Sequence, residues 1–287
     1  MRVLSVNEAL QYAMPVLAAA GVETPRLDAK LLLAWTLAAR REDLARAPER
    51  VLTERERLIF EKAVSLRALR RPLPYITGEQ WFYGRPFKIN RAVLIPRPET
   101  ELLVEFAKDK ARQWPGTVRI ADIGTGSGAI AVSLALEIPR AEIWAVDISR
   151  LALLVAAKNV RRHNVAQQVH LGESDLFAGL RRHAFHIIVS NPPYVPLADR
   201  ETLMPEVRDY EPELALYEGA GPAGTALHER LIDEARPLLT AGGWLAMEVG
   251  LGQAQRVRQI AEVDGYNEIT TIRDPADIER VIAGRKA

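Results

Sequence analysis

From Ser5 to about Arg71, apolar side chains recur at the i, i+3, i+4 spacing of one helix face, as in Leu27, Leu31, Leu32 and Trp35 and again in Leu58, Ile59 and Val64. The pattern predicts short helices over Asn7 to Ala20, Pro25 to Ala39 and Thr53 to Leu69. Breakers at Gly21, Pro25, Pro48 and the Arg71-Pro72-Leu73-Pro74 run separate them. Thr53 followed by Glu56 has the form of a capping box, in which each side chain accepts the other residue's backbone N–H. Residues 1–72 therefore read as a small helical domain. Between Tyr75 and Ile95 aromatic and β-branched residues gather around Gly78 and Gly84, so 73–95 is expected to be a β-hairpin linker.

Beyond Pro96 the period alternates, and residues 96–287 read as a larger domain. A helix is expected to start there, with Pro98 in its first turn and Glu99 and Glu101 against the positive end of its dipole. Strands are predicted at Val118 to Ile123, Glu142 to Asp147, Gln168 to Gly172, Phe185 to Ser190, Trp244 to Val249, Ile269 to Ile272 and Arg280 to Ala283, with helices between most of them. Such alternation gives an α/β fold, a mostly parallel sheet covered on both faces. The stretch between the last two strands is too short for a helical crossover, so they should form an antiparallel edge hairpin. There is no internal repeat or low-complexity tract.

Composition excludes several functions without altering this picture. The 287 residues are 48% hydrophobic and 26% charged, and no stretch approaches the roughly 20 apolar residues of a membrane span, so no membrane partner is expected. The N-terminus mixes Asn7, Glu8, Gln11 and Pro15 into an amphipathic pattern unlike a secretion signal. With no cysteine there is no disulfide framework and no thiolate chemistry, and a cytoplasmic location is expected. The five histidines are scattered without the i, i+4 pairing of a helical zinc site, so no metal is expected. A net charge of +1, from 38 basic and 37 acidic residues, argues against a chain that grips nucleic acid through phosphates. The pairs Arg161-Arg162 and Arg181-Arg182 read as solvated faces.

Three strand exits carry the marks of a nucleoside site. Asp122-Ile-Gly124-Thr125-Gly126-Ser127-Gly128 follows an apolar strand and opens the helix Ala129 to Leu136, and its glycines let a ligand approach the main chain. The spacing differs from the dinucleotide fingerprint, which suits a cofactor whose carbohydrate joins an amino acid rather than a pyrophosphate. The next strand ends at Asp147, roughly 20 residues on, where a carboxylate can accept both hydroxyls of a ribose; a surface N-cap is the alternative role. After the third strand, Asp175 could accept an adenine amino group and Leu176 could pack on the ring, the alternative being an ordinary turn.

The strand Phe185 to Ser190 ends in Asn191-Pro192-Pro193-Tyr194. Ligands of open α/β sheets bind at the carboxyl ends of strands, which places this tetrapeptide beside the glycine loop. The prolines hold the backbone extended, so the Pro192 carbonyl can be aimed as an acceptor. The Asn191 amide oxygen is a second acceptor, and Tyr194 offers an aromatic face. Two acceptors converging on one NH2 group suit methylation of a planar amino group, because its delocalised lone pair must be held in line while positive charge develops on nitrogen. A solvent-capped polyproline turn is the bland alternative.

In Asp122-Ile-Gly-Thr-Gly-Ser-Gly-Ala-Ile-Ala131, Ser190-Asn-Pro-Pro-Tyr194 and Leu94-Ile-Pro-Arg-Pro-Glu-Thr-Glu101, the chain resembles the peptide chain release factor glutamine N5-methyltransferases, the HemK/PrmC type. The resemblance covers most of the chain, through the ending Arg280-Val-Ile-Ala-Gly-Arg285, and Leu94 to Glu101 is its most family-specific part. It implies a class I S-adenosylmethionine-dependent methyltransferase fold, Rossmann-like with seven strands, in 96–287. It also implies a helical substrate-recognition domain in 1–72 and a release factor as protein substrate, methylated on the glutamine of a Gly-Gly-Gln motif. Gly124 to Gly128, Asp147, Leu176 and Asn191 would contact the cofactor, and Asn191 to Tyr194 would hold the glutamine amide. Leu176 departs from relatives with an aromatic there, which would weaken stacking on adenine. A ribosomal-protein glutamine methyltransferase would share this chemistry. A nucleic-acid adenine N6-methyltransferase shares the tetrapeptide but should carry a basic, base-reading domain, which the charge-balanced N-terminal region is not. An inert binding module would be expected to have a broken acceptor motif.

Overall fold

A computed structural model describes residues 4–180, 182–217 and 224–287; Met1 to Val3 of the amphipathic N-terminus and Arg181 of the second basic pair lie outside them. In chain order the elements are α1 Val6–Ala19, α2 Pro25–Thr36, α3 Glu54–Ala68, α4 Leu73–Thr77, β1 Glu79–Phe82, β2 Arg85–Lys88, α5 Glu101–Ala111, β3 Val118–Ile123, α6 Ala129–Glu137, β4 Ala141–Asp147 and α7 Arg150–Arg162. They continue with β5 Val169–Glu173, β6 Phe185–Ser190, α8 Pro205–Arg208, α9 Glu213–Leu216, α10 Ala226–Ala235, β7 Leu239–Glu248, α11 Ala254–Val263, β8 Tyr266–Arg273 and β9 Glu279–Lys286, with short 3-10 turns among them. The chain divides into one unit of Met1–Glu79 with Met204–Tyr210 and a second of Gln80–Leu203 with Glu211–Ala287.

Local chemistry starts the helices of the first unit. Thr53 and Glu56 form the expected capping box, with N–H to oxygen distances of 2.8 and 3.3 Å, and Ser5 with Glu8 forms a second that the sequence reading did not single out. The buried helix faces differ from those the apolar spacing suggested. Leu27, Trp35, Leu58 and Ile59 are exposed, whereas Leu32, Leu33, Phe60 and Val64 fill the core. The reason is a polar pair inside the same face: Arg67 donates to Asp28 at 2.6 Å and to Glu206 at 2.9 Å. A search for apolar residues alone misses a helix face set partly by ions. The hairpin is shorter than expected, β1 and β2 joined through Tyr83 and Gly84, both at positive φ. The preceding Leu73–Thr77, read as loop and hairpin, is helical and ends at Gly78 in the left-handed region.

In the second unit seven strands lie in the order β5-β4-β3-β6-β7-β9-β8. The first five are parallel, and β9 runs antiparallel to both β7 and β8. The expected late hairpin is thus present, with β8 at the edge and β9 inserted beside β7. Ile120, Ile143 and Val189 pack on one face of the sheet, and Ile123, Ile188 and Met247 on the other, which explains the near-continuous apolar runs of these strands. The chain leaves β3 toward β4 and β5 and returns to β6 on the opposite side of β3. That reversal opens a crevice at the carboxyl ends of β3, β4 and β6, where open α/β sheets bind ligands. Among the described residues no helix is long and apolar enough to cross a membrane.

Candidate active site

The floor of the crevice is the turn leaving β3. Gly124, Gly126 and Gly128 adopt φ of 73°, 55° and 78°, where a side chain is strained. A Cβ on Gly124 or Gly126 would meet nothing within 4 Å, so both present bare main chain to open space. Gly128 serves packing instead: its Cβ would stand 3.3 Å from that of Ala156, and the residue caps α6. Beneath the loop, the wholly buried Asp122 accepts from Thr125 Oγ1 at 2.6 Å and from the Ala131 N–H at 3.2 Å. Burial pushes its carboxyl up to about 7, and its Oδ1 has no protein partner among the described residues.

Asp147 ends β4, alongside the loop. Its Oδ2 accepts the Gly126 N–H and its Oδ1 the Ser149 N–H, each at 2.8 Å. Burial raises its pKa against the pull of these donors. The helix after it is capped by Ser149, whose hydroxyl accepts from Ala152 N at 3.2 Å. After β5, Ser174 Oγ donates to the Leu176 carbonyl at 2.8 Å and accepts the Gly179 N–H at 3.0 Å. This turn holds Leu176 at φ 45°. Asp175 is exposed and meets Arg230 at 3.3 Å.

These groups share one mostly apolar cleft of about 460 Å³, within the range of small-molecule sites. Of the residues singled out in the sequence, Gly124, Thr125, Gly126, Ser127, Asp147, Asp175, Leu176, Asn191 and Pro193 line it. Gly128, Pro192 and Tyr194 do not: Gly128 abuts Ala156, Pro192 is buried at the strand end, and Tyr194 is tied back into the sheet.

That tie is a chain of side chains absent from the sequence reading. Asn191 Nδ2 donates to Thr100 Oγ1 at 3.1 Å, and Thr100 Oγ1 donates to Glu248 Oε2 at 2.6 Å. Tyr194 Oη donates to Glu248 Oε1 at 3.2 Å. Burial raises the Tyr194 phenol far above its ordinary value, with the nearby Glu248 carboxylate adding to the shift. Gln253 Nε2 donates to the Tyr194 carbonyl at 2.9 Å, and the tyrosine ring lies so close to Gly250 that a Cβ there would approach it to 3.0 Å. Buried Glu211 accepts the Ile95 N–H at 3.1 Å and pairs with Arg97, fastening the Leu94 to Glu101 segment. One signal for Glu248 was available: an acid closing the apolar Trp244 to Met247 run at the end of β7. Glu211 and Gln253 lie in loops and carry no periodic signal.

A nucleotide-sized apolar cleft thus adjoins a proline-stiffened amide acceptor. Residues 8–78 match the family described as PrmC N-terminal domain, and residues 98–205 match the Methyltransferase small domain. The chain is 40% identical over 281 residues to a release factor glutamine methyltransferase of Geobacter sulfurreducens, covering 98% of this chain and 96% of that one. The chain belongs to the release factor glutamine methyltransferase family. A member from Moorella thermoacetica is 41% identical over 278 residues, covering 96% and 97% of the two chains. Among solved structures, the N-terminal domain of human METTL16 in complex with SAH is similar in fold, with a TM-score of 0.54 at 17% identity over 88% of this chain and 93% of that one. The family's methyltransferase fold is therefore the one seen here, a mostly parallel seven-stranded sheet with an antiparallel hairpin.

Proposed function

We propose that this chain transfers a methyl group from S-adenosylmethionine to the side-chain amide nitrogen of the glutamine in the Gly-Gly-Gln motif of peptide chain release factors. The observation that carries the reading is one cleft lined both by the bare faces of Gly124 and Gly126 beside Asp147 and by Asn191 with Pro193. Full-length relatives named release factor glutamine methyltransferase support the substrate class, and the similarly folded N-terminal domain of human METTL16 in complex with SAH supports the cofactor.

The residues fit such a cofactor. Asp147 keeps carboxylate lone pairs free beyond its backbone donors for a ribose diol, the apolar walls including Leu176 and Ile148 suit a base, and Asp175 at the rim can accept an exocyclic amine. When bound, the cofactor supplies an electrophilic methyl group on sulfonium sulfur. Asn191 Oδ1 and the Pro192 carbonyl orient the glutamine NH2 by accepting its two N–H bonds. Transfer to the nitrogen lone pair would leave the S–C electron pair with sulfur, and the nitrogen would shed one proton to solvent. No strong base is required, because that proton becomes acidic on transfer, and the two acceptors stabilise the developing charge. The helical unit selects the protein partner, since a glutamine side chain is too small to specify one. A soluble cytoplasmic location without a nucleic-acid substrate completes the reading.

The test is to incubate the protein with methyl-labelled S-adenosylmethionine and a lysate from a strain lacking it, then map the labelled residue. Label on the Gly-Gly-Gln glutamine of a release factor is expected. Label on a ribosomal protein or on nucleic acid would replace this reading with one of its rivals.

A further inference from the structure

The proton arrangement around Glu248 has only one solution when the carboxylate is ionised. Tyr194 and Thr100 each own a single hydroxyl proton, and both hydroxyls lie within bonding distance of the carboxylate, Tyr194 at Oε1 and Thr100 at Oε2. With its proton committed to Glu248, Thr100 Oγ1 can act toward Asn191 only as an acceptor. The NH2 end of Asn191 therefore faces Thr100, and its Oδ1 accepts no hydrogen bond among the described residues. Had Thr100 been free to donate, the Asn191 amide would gain by turning over, presenting NH2 to a substrate NH2 and losing the interaction.

We infer that Glu248 is a positioning residue for the acceptor: by taking the proton of Thr100 it fixes the orientation of the Asn191 amide and leaves Oδ1 for the substrate N–H. This rests on the amide-methylation reading above. Glu248 touches neither substrate nor cofactor in this scheme and acts through Thr100. It ends β7 and is 2% exposed, and an acceptor at this depth holds its donors more strongly than one in solvent.

The surroundings make the arrangement sensitive to pH. Burial pushes the Glu248 carboxyl up to about 7, with the hydrogen bonds from Thr100 and Tyr194 pulling down, Glu99 raising it and Arg280 lowering it. His228 Nε2 meets the main-chain oxygen of Glu248 at 2.8 Å rather than its carboxylate, and burial depresses its own pKa. Arg97 and Arg280 face Tyr194. A proton on Glu248 adds a donor where two donors already converge, and one of the resulting arrangements has Thr100 donating to Asn191.

The test uses the intact protein, a Gly-Gly-Gln-containing release factor and saturating S-adenosylmethionine, with kcat, KM and cofactor Kd measured for single and double variants. Glu248→Leu and Thr100→Val should each lower kcat tenfold or more while cofactor Kd moves less than threefold. The double variant should be no worse than the poorer single by more than about twofold, because Glu248 acts only through Thr100. Thr100→Ser, which restores the hydroxyl, should recover most of the loss, whereas Glu248→Gln, which like the protonated acid places a donor beside Thr100 and Tyr194, should stay near the low-pH wild-type rate. The wild-type kcat should fall as pH falls through about 7, and Glu248→Gln should lack that limb. In the unliganded protein, the Asn191 side-chain amide NMR signals should titrate over the same range in wild type and not in Glu248→Gln. Near-wild-type kcat in Glu248→Leu, multiplicative losses in the double variant, or an unchanged pH limb in Glu248→Gln would overturn the inference. If Glu248→Leu does not fold, equal rates for Thr100→Val and Thr100→Ser overturn it alone. Failure of the wild type to methylate the release factor would instead remove the functional reading beneath it.

Discussion

Gly126 donates its N–H to Asp147 Oδ2 at 2.8 Å, so the tip of the glycine loop and the end of the adjacent strand are joined through one carboxylate. The same side chain takes the Ser149 N–H on its other oxygen. Asp147 therefore shapes the loop and offers its remaining lone pairs to the cleft. Replacing it removes charge-assisted hydrogen bonds worth about 1.5–3 kcal/mol each. Asp147→Ala should weaken S-adenosylmethionine binding at least tenfold, measured by calorimetric titration. Unchanged affinity in a folded variant would sink the ribose assignment.

Asn191→Ala takes away the side-chain acceptor and leaves the proline-fixed main chain. Turnover should fall by roughly 10²–10³, as when one preorganised polar group is lost from a transition-state site, with a smaller effect on cofactor affinity. Single-turnover rates at saturating cofactor check this. Tyr194→Ala should cost less, because the ring packs against Gly250 rather than lining the cleft. A collapse caused by replacing one histidine or lysine would mean that a general base is needed after all.

Asp122 gives a pH prediction of definite sign. Its carboxyl is raised from the ordinary value to about 7 by burial, so the folded state holds the proton more tightly than the unfolded chain. Its contribution is fully present below the unfolded pKa, near 4, and is lost as pH rises through about 7, at up to about 1.4 kcal/mol per pH unit in that window. Denaturant titrations at pH 5 and 8 should show wild type losing stability relative to Asp122→Asn as pH rises. Parallel curves would mean that the site is better solvated than its burial implies.

The parts of this chain legible in advance were those with a repeating pattern or a rigid motif. β3 and β6 emerged residue for residue because both are continuous apolar runs, and Gly124 to Ser127, Asn191 and Pro193 at their exits line the cleft because strand ends converge where strand order reverses. What stayed hidden depends on long-range pairing. Thr100 and Glu248 lie far apart in sequence and meet only once β7 packs beside β6. The α2 and α3 faces were misjudged because Asp28 and Arg67 are buried by each other, which no apolar count detects.

In the helical unit, Arg67 lies between Asp28 and Glu206, and all three side chains are about nine-tenths buried. Removing it leaves the buried Asp28 carboxylate without its cation and Glu206 with Arg70 alone, a change that costs about 3–5 kcal/mol. Arg67→Met should lower protection of α2 and α3 amides from hydrogen exchange by a matching amount. Burial acts to raise the Glu206 pKa, but the bonds from Arg70 and Arg67 outweigh it and hold the carboxyl below its ordinary value. That contribution is present above the unfolded pKa and is lost as pH falls below about 4.

Partner selection is assigned to the helical unit, and its surface offers a direct test. Trp35 and Leu58 are 42% and 52% exposed, on helices whose core-facing positions are already filled by Leu32, Leu33, Phe60 and Val64. Exposed aromatic and aliphatic side chains of this kind supply binding energy when a partner covers them. Neither residue contributes to the cleft, so substitution should leave the chemistry untouched. Trp35→Glu and Leu58→Glu should therefore raise KM for an intact release factor tenfold or more while kcat, cofactor affinity and the rate with a short Gly-Gly-Gln peptide stay as in wild type. A split of this form separates recognition of the protein from recognition of its glutamine. If both variants methylated the intact release factor with unchanged KM, these side chains would play no part in selection. If the peptide rate fell in step with the protein rate, the helical unit would be supporting the active site rather than choosing its substrate.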